Sequence, residues 1–265
     1  MLKKLLPGLL VVLLMACGVS PTGRQQFTML SPQELNTMGN TAFQQLQQKQ
    51  PVETNPPINA YVQCVAEAIV AQLPGEQGDW EVVVFRDDAA NAFALPGGNI
   101  GVHTGLLKVA RNQDQLAAVI GHEIGHVLAD HSNERMSQEL LVQGGLTLAD
   151  ALAGGSGTAT QQALMTALGL GAQVGILLPY SRVHESEADV IGLDLMARAG
   201  FDPRQSIELW QNMAGAGNGQ PPEFLSTHPA HGTRIRDLEA NMGQALQTYE
   251  AARAQGRRPR CQPPG

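Results

Sequence analysis

The sequence contains few aromatic residues and no basic stripe, and both shortages narrow the classes of protein to which it can belong. Aromatic residues make up 4% of the chain, so aliphatic side chains must fill most of its core. The formal net charge is −7, and a nucleic-acid-binding surface would need a cluster of basic residues. The main basic cluster consists of the arginines at 253, 257, 258 and 260. It lies beside prolines, and we predict that residues 253–265 form a basic, solvated tail.

Long apolar runs are also scarce. The run at 5–14 follows two lysines and has the length of a signal peptide, which is too short for a comfortable membrane span. The sequence Leu-Met-Ala-Cys at 14–17 resembles a bacterial lipobox, in which the cysteine becomes the lipidated first residue after cleavage. We therefore predict a lipoprotein signal peptide over 1–16, a lipid anchor at Cys17 and a tether over 17–30. The alternative is an ordinary signal peptide or membrane anchor.

Cysteine is rare as well, with three residues in the chain. If Cys17 carries lipid, Cys64 and Cys261 remain as an even pair in an oxidising compartment, where disulfides persist. The pair predicts a disulfide between an early helix and the C-terminal tail, with two free thiols as the alternative. The cysteines do not have the spacing of metal ligands, which excludes a cysteine zinc site.

The remaining residues show the patterns of a mixed domain. Apolar residues at helical spacing predict helices over much of 31–73 and again from 112 onward. Runs at 80–85, 91–95 and 100–103 predict short strands. Residues 142–178 carry one formal charge, that of Asp150. We predict a packed helical hairpin there, with a mobile flap over a cleft or a membrane-facing surface as alternatives.

The strongest chemical signal is the sequence His-Glu-Ile-Gly-His at 122–126. Positions four apart lie on the same face of a helix, so His122 and His126 can reach one metal ion, with Glu123 close by. This is the pattern of zinc-dependent peptidases, which need a third protein ligand and an open position. A histidine six residues after His126 would supply that ligand, but Ser132 stands there.

Three further residues near the motif or downstream of it are candidates for the third metal ligand: His131, Glu185 and Glu187. His131 lies about 140° round the helix from His126, so we predict a surface or capping role for it. Downstream, Glu185 and Asp189 share one helical face, which predicts Glu185 as the third ligand and Asp189 as the partner of a ligand histidine. Glu187 points away from Glu185 on that helix and is the less suitable ligand.

These residues resemble a known family. The zinc motif, the Ser181-Arg182 pair, Glu185, the Glu-Ala-Asp sequence at 187–189 and the Asn-Ala-Phe-Ala-Leu-Pro-Gly-Gly sequence at 91–98 are similar to the gluzincin peptidases related to HtpX and the CAAX prenyl proteases. The resemblance covers roughly 31–250. The HtpX and CAAX branches have several membrane spans, and this sequence does not show them. It is therefore more similar to the periplasmic branch of LoiP-like and BepA-like peptidases.

The resemblance implies an α+β fold, a mostly helical zincin-type domain over 31–252 with a small antiparallel sheet. It implies one zinc ion bound by His122, His126 and Glu185, with Glu123 as the general base. The strand formed by Asn91, Ala92, Phe93 and Ala94 would pair with an extended polypeptide substrate. His228, with Arg234 six residues later, also matches the family: His228 would either stabilise an oxyanion or occupy the fourth zinc position and keep the enzyme latent. The alternative is a surface histidine without a role in the centre.

Together, the resemblance and the lipobox predict a lipid-anchored zinc endopeptidase on the periplasmic side of the outer membrane. Gly18 supports the outer membrane, because Asp at that position would resemble an inner-membrane retention signal. Its expected substrates are misfolded or misassembled envelope proteins, and envelope assembly machinery is an expected partner. The alternative is a zinc-dependent assembly factor whose proteolysis is dispensable. An intact Glu123 argues against that alternative, because a pure binder has no use for a base between its ligands.

Overall fold

The computed structural model describes residues 17–75, 80–152, 180–215, 223–228 and 233–264. The helices are α1 (Pro32–Lys49), α2 (Pro56–Val70), α3 (Gln113–Leu128), α4 (His131–Leu152), α5 (Arg182–Ala199), α6 (Gln205–Gly215), α7 (Glu223–Thr227) and α8 (Arg234–Ala254), with a 3-10 turn at Thr104–Lys108. The strands are β1 (Cys17–Val19), β2 (Gln25–Phe27), β3 (Glu81–Phe85), β4 (Ala92–Leu95) and β5 (Asn99–His103). The fold is α+β and mostly helical, as predicted.

Helix α3 lies at the centre of the domain. Asn112 caps its N-terminus by accepting a hydrogen bond from the Gln115 amide, which satisfies one of the free donors of the first turn. The helix is buried on every side from position 115 to 126, with Leu116, Ile120 and Ile124 fully enclosed. A helix surrounded by apolar neighbours holds its side chains in fixed orientations, so the motif at 122–126 lies on a rigid support.

Helix α5 packs along α3 at very short range. Ser181 caps its N-terminus, and Gly200 ends it in the left-handed conformation, with φ +88°. Glycines form the contact between the two helices: a Cβ on Gly121 or Gly125 would lie 2.9 Å from a backbone oxygen of α5. This close approach brings the acidic face of α5 against the histidines of α3.

The three-stranded sheet packs against α3 through β4. Its strand order is β3-β5-β4; β4 runs antiparallel to β5, but β3 runs parallel to it. The prediction of an antiparallel sheet is therefore wrong for one of its two pairings. Residues 86–91 carry the chain from β3 past the position of β5 to the opposite edge, and β5 then enters between the two strands.

The N-terminal segment is ordered, although residues 17–30 were predicted to be a tether. Strands β1 and β2 form an antiparallel hairpin, with Cys17 opposite Phe27. The hairpin and the residues after it lie on α4, where the Met29 amide donates to Ser137 Oγ at 2.8 Å. Buried polar contacts with the helices compensate for the few apolar residues of this segment.

The C-terminal tail also differs from its prediction as a solvated segment. Cys261 is buried and disulfide-bonded to Cys64 of α2, with 5.7 Å between the Cα atoms. Its amide donates to Gln113 Oε1 at 2.8 Å, and Arg257 Nη1 donates to Gln72 Oε1 at 2.8 Å. The predicted disulfide is thus present, and it closes the tail over the start of α3.

Two other predictions fall wholly or partly outside this description. The signal peptide predicted over 1–16 lies outside the described residues. Of the nearly uncharged stretch at 142–178, the part from 153 onward lies outside them as well. Among the described residues, no helix combines the length and apolar character that crossing a membrane requires.

Candidate metal centre

The two histidines of the motif meet on the face of α3 that looks towards α5. Their Nε2 atoms are 3.1 Å apart, and both residues are almost completely buried. Helix α5 adds Glu185, whose Oε2 lies 3.5 Å from His122 Nε2 and whose Oε1 lies 3.4 Å from His126 Nε2. The chain thus brings together the three side chains that the sequence predicted as metal ligands.

His228 joins them from the short segment after α7. Its Nδ1 lies 3.1 Å from Glu185 Oε1 and 3.3 Å from His122 Nε2, so it faces the same point. The four donor atoms lie within 4.8 Å of one another and all four residues are buried. Imidazole nitrogens and a carboxylate oxygen are the donors that zinc takes in tetrahedral sites, and the donor set fits one zinc ion.

The protonation states of the donors agree with this fit. Burial lowers the pKa of His126 far below its usual value, which leaves its imidazole neutral. Burial opposes ionisation of Glu185, but its contacts with His122, His126 and His228 outweigh burial and hold its pKa well below the usual range. Glu185 is therefore a carboxylate, ready to bind a cation.

His122 differs from His126 because acidic groups surround it. Burial and the charge of Arg234 lower its pKa, but hydrogen bonds with Asp189 and Glu185 outweigh them and raise the pKa to about 9. Its Nδ1 lies 2.9 Å from Asp189 Oδ1, so the second nitrogen has the carboxylate partner that the sequence predicted. A metal ion at Nε2 must displace a proton from this imidazole.

Arg234 holds the acidic pair in place. Its Nη2 donates to Asp189 Oδ1 at 2.7 Å and its Nη1 donates to Glu185 Oε2 at 3.1 Å. The guanidinium lies over the Trp210 ring, 3.5 Å from its centroid. The positive charge is therefore paired and packed, and α8 contributes to the centre even though it supplies no donor atom to it.

Glu123 lies beside the donor cluster. It is buried, and burial raises the pKa of its carboxyl. Among the described residues, Glu123 Oε1 accepts no hydrogen bond, although His228 Nε2 lies 3.4 Å away. An acidic group with a raised pKa and a free oxygen can exchange a proton with a reacting molecule.

The predicted substrate strand passes next to Glu123. Strand β4 forms one edge of the sheet, and the backbone of Ala94 hydrogen-bonds the Glu123 carboxylate. The His103 amide donates to the Asn91 oxygen at 3.0 Å, and in an antiparallel ladder such pairs alternate. The peptide groups of Asn91 and Phe93 therefore face β5 and bond to it. The peptide groups of Ala92 and Ala94 face outward, away from the sheet.

Two aromatic side chains at the centre carried no usable signal in the sequence. The Tyr180 ring stacks on His126, with 3.8 Å between centroids, and the Phe224 ring stacks on His228 at 4.3 Å. Both lie in segments without motif or periodicity, so only the fold could reveal them.

The prediction of a surface or capping role for His131 is wrong. The residue is fully buried, and its Nδ1 lies 2.9 Å from His126 Nδ1. Helix α3 ends at Leu128, and Asp130 adopts a left-handed conformation with φ +54° before α4 begins at His131. The helical angle used for the prediction does not apply across this break, and the chain turns His131 back towards the metal centre.

Comparison with known proteins identifies the family. The model of peptidase family M48 matches residues 53–242. The chain belongs to peptidase family M48. The matched range contains all four donors and Glu123, and it excludes the N-terminal hairpin.

Relatives of this M48 chain come from mitochondria and from bacteria. It is 39% identical over 191 residues to the mitochondrial metalloendopeptidase OMA1 of Schizosaccharomyces pombe, covering 71% of this chain and 54% of the relative. It is 30% identical over 238 residues to the beta-barrel assembly-enhancing protease of Yersinia pestis, covering 85% and 47%. The protease of that name from Escherichia coli is 30% identical over 215 residues, covering 78% and 43%. The chain spans about half the length of the curated relatives it matches.

Proposed function

We propose that this M48 chain is a zinc metalloendopeptidase that cleaves polypeptides bound along β4. The observation that carries the proposal is the position of Glu123, a buried acid with a raised pKa next to three donors that fit zinc. Zinc, when bound, supplies Lewis-acid chemistry that polarises a carbonyl group and acidifies water. His122, His126 and Glu185 would hold it.

In this mechanism the protein moves one proton and positions the substrate. Glu123 removes a proton from the attacking water and then delivers it to the leaving amine nitrogen. The outward-facing amide and carbonyl of Ala92 and the outward-facing carbonyl of Ala94 bind the substrate backbone as an added strand, while the Ala94 amide donates to Glu123. Backbone recognition places little demand on substrate side chains, so loose sequence preference follows.

His228 has two roles open to it at this centre. Its Nδ1 belongs to the donor cluster, which supports occupation of the fourth metal position and latency. Its Nε2 faces Glu123 Oε1 at 3.4 Å. In the conformation of this structure His228 obstructs both the fourth position and the base, so we favour latency over oxyanion stabilisation.

We further propose that the enzyme is lipid-anchored through Cys17 on the periplasmic side of the outer membrane and acts on misassembled envelope proteins. The lipobox at 14–17 supports the anchor. Similarity to proteases named for beta-barrel assembly supports the substrate class. Mass spectrometry of the mature N-terminus should find lipid on Cys17; an unmodified N-terminus elsewhere would contradict the anchor.

Glu123→Gln tests the catalytic proposal. We expect zinc to remain bound and cleavage of an unfolded polypeptide to fall by roughly 10²–10⁴-fold, because the variant cannot take up the proton. The matched control is Glu239→Gln, which removes an exposed carboxylate of α8 and should leave cleavage unchanged. Retained cleavage by Glu123→Gln would refute the mechanism. Full envelope function in cells with this variant would instead favour the zinc-dependent assembly factor.

A further inference from the structure

The two motif histidines are held by different arrangements. His122 reaches a carboxylate directly: Asp189 contacts its Nδ1, and Arg234 in turn contacts that carboxylate. His126 instead meets a second imidazole, that of His131, through its Nδ1. The contacts of His131 therefore decide how firmly the second motif histidine is oriented.

From His131 the contacts continue to the N-terminal hairpin. His131 Nε2 lies 3.1 Å from Glu187 Oε2. That oxygen also accepts a hydrogen bond from Arg24 Nε at 2.8 Å, while Glu187 Oε1 accepts one from the Thr22 hydroxyl. A continuous chain of contacts thus joins the turn between β1 and β2 to His126.

One arrangement of protons satisfies every link. His126 Nε2 faces Glu185 and the metal position, so it must offer a lone pair and its proton must lie on Nδ1. His131 Nδ1 then accepts that proton in a hydrogen bond, and its Nε2 carries the proton donated to Glu187. The Glu187 carboxylate therefore fixes the tautomer of His131, and His131 fixes that of His126.

Burial and pairing make this chain rigid. His131 is fully enclosed, and its ring stacks on His184 with 4.4 Å between centroids. The Glu187 side chain is 4% exposed, and its charge is matched by Arg24. Arg24 also binds Glu134 through both terminal nitrogens, at 2.9 and 2.7 Å.

Arg24 lies in a part of the sequence outside the range that defines the family. Thr22 and Arg24 belong to the hairpin turn, which lies outside the 53–242 range matched by the M48 model. The arginine that supports the His122 side, Arg234, lies inside that range. The N-terminal hairpin therefore supplies an arginine–carboxylate support of the centre, as α8 does on the His122 side.

We infer that Arg24, Glu187 and His131 are positioning residues, through which the N-terminal hairpin holds His126 in its metal-binding orientation. The inference rests on the proposed function, since it treats His126 as a zinc ligand. It adds to that proposal that a segment outside the matched family range helps to orient a ligand of the metal centre.

Zinc affinity of the full chain tests the inference without using peptide cleavage. We expect Glu187→Ala to weaken zinc binding by about 10–100-fold, the usual effect of removing a partner of a ligand histidine. The visible absorption of the cobalt-substituted protein should also shift, because the orientation of His126 changes. Arg24→Gln should produce a weaker change of the same sign.

Glu134→Ala is the matched control. It removes the other buried carboxylate that pairs with Arg24, but the histidine it contacts is His184, and it makes no direct contact with His131 or His126. We expect its zinc affinity to stay within about threefold of the wild type. Equal losses in Glu134→Ala and Glu187→Ala would show that hairpin docking alone matters and would overturn the inference. Unchanged affinity in both would overturn it as well.

Glu187→Gln keeps the shape of the side chain and serves if Glu187→Ala does not fold. Loss of the charge should still weaken zinc binding by several-fold and shift the cobalt spectrum. A wild-type affinity and spectrum in this variant would overturn the inference. Failure of the proposed function would look different. The wild type would bind zinc and the substitutions would weaken zinc binding as expected, but the wild type would not cleave polypeptides.

Discussion

A Cβ atom on Gly192 would lie 2.6 Å from the backbone nitrogen of His122. The helix that carries Glu185 is therefore in backbone contact with the helix that carries the histidines. Backbone atoms cannot rotate away as a side chain can, so the spacing of the two helices sets the distance between the donors. This contact makes Gly192 a sensitive point for the whole centre.

Gly192→Ala should force α3 and α5 apart and weaken both folding and zinc binding. Overpacking of this kind costs about 1–3 kcal/mol of the free energy of unfolding. Thermal unfolding and chelator competition measure the two effects. Gly243→Ala is the control: that glycine is exposed on α8 with nothing within 4 Å of an added Cβ, and the substitution should stabilise the helix slightly. Similar behaviour of the two variants would contradict the backbone-contact interpretation.

Zinc binding should release about one proton from the three predicted ligands near neutral pH. The pKa of His122 is raised to about 9 in the metal-free protein, so its imidazole is charged below that pH and zinc must displace the proton. His126 is already neutral and Glu185 already ionised. The apparent affinity should therefore rise about tenfold per pH unit up to about pH 9.

Titration calorimetry in buffers of different ionisation enthalpy measures the proton release. Asp189→Asn should release fewer protons, because the hydrogen bond that raises the pKa of His122 is weakened. An unchanged proton count in this variant would show that Asp189 does not set the charge of His122.

His228→Ala should raise basal cleavage several-fold. Removing the imidazole frees the fourth position of the donor cluster and the approach to Glu123. Steady-state cleavage of an unfolded polypeptide measures the effect, with zinc content determined on the same sample. A fall in cleavage at full zinc content would instead assign His228 to oxyanion stabilisation, and an unchanged rate would exclude both roles.

Substrate pairing with β4 should depend on alternate peptide groups of the substrate. In an antiparallel pair, peptide groups face the neighbouring strand at every second residue. A series of peptides with one N-methyl group each should therefore compete poorly at alternate positions near the scissile bond and normally between them. Competition assays on Glu123→Gln measure this without turnover. Uniform losses along the peptide would contradict strand addition.

Removing the disulfide should destabilise the domain and spare the metal centre. The bridge spans 197 residues of sequence, and loss of a native disulfide typically costs about 2–5 kcal/mol. For a chain of this size the midpoint of thermal unfolding should fall by roughly 5–15 °C in Cys64→Ser. Reductant should lower the midpoint of the wild type and leave that variant unchanged. Zinc affinity should be preserved, because the bridge lies away from the donors.

The local patterns of the sequence were sufficient for the elements that carry the chemistry. The four-residue spacing of His122 and His126 places them on one face of any helix, and the spacing of Glu185 and Asp189 does the same on α5. The apolar periodicity from 112 onward located the start of α3. These relations depend on the geometry of one helix, so they hold before the chain folds.

Predictions failed where a contact joins distant segments. The hairpin was predicted to be a tether because Arg24 contacts Glu187, which lies 163 residues away in the sequence. The tail was predicted to be solvated because its hydrogen-bond partners, such as Gln113, lie on distant elements. The sheet is mixed because β5 enters between β3 and β4, a choice that strand patterns do not encode.

The sequence by itself determined the motif at 122–126, with its two histidines and its acid, because their placement follows from helical periodicity. Only the tertiary structure decided what surrounds them. It brought Glu185 within 3.5 Å of both histidines, and it turned His131 inward after the break at Asp130. Burial and the contacts of each group together then set the charges of the site, because desolvation and hydrogen bonding both depend on neighbours supplied by the whole chain.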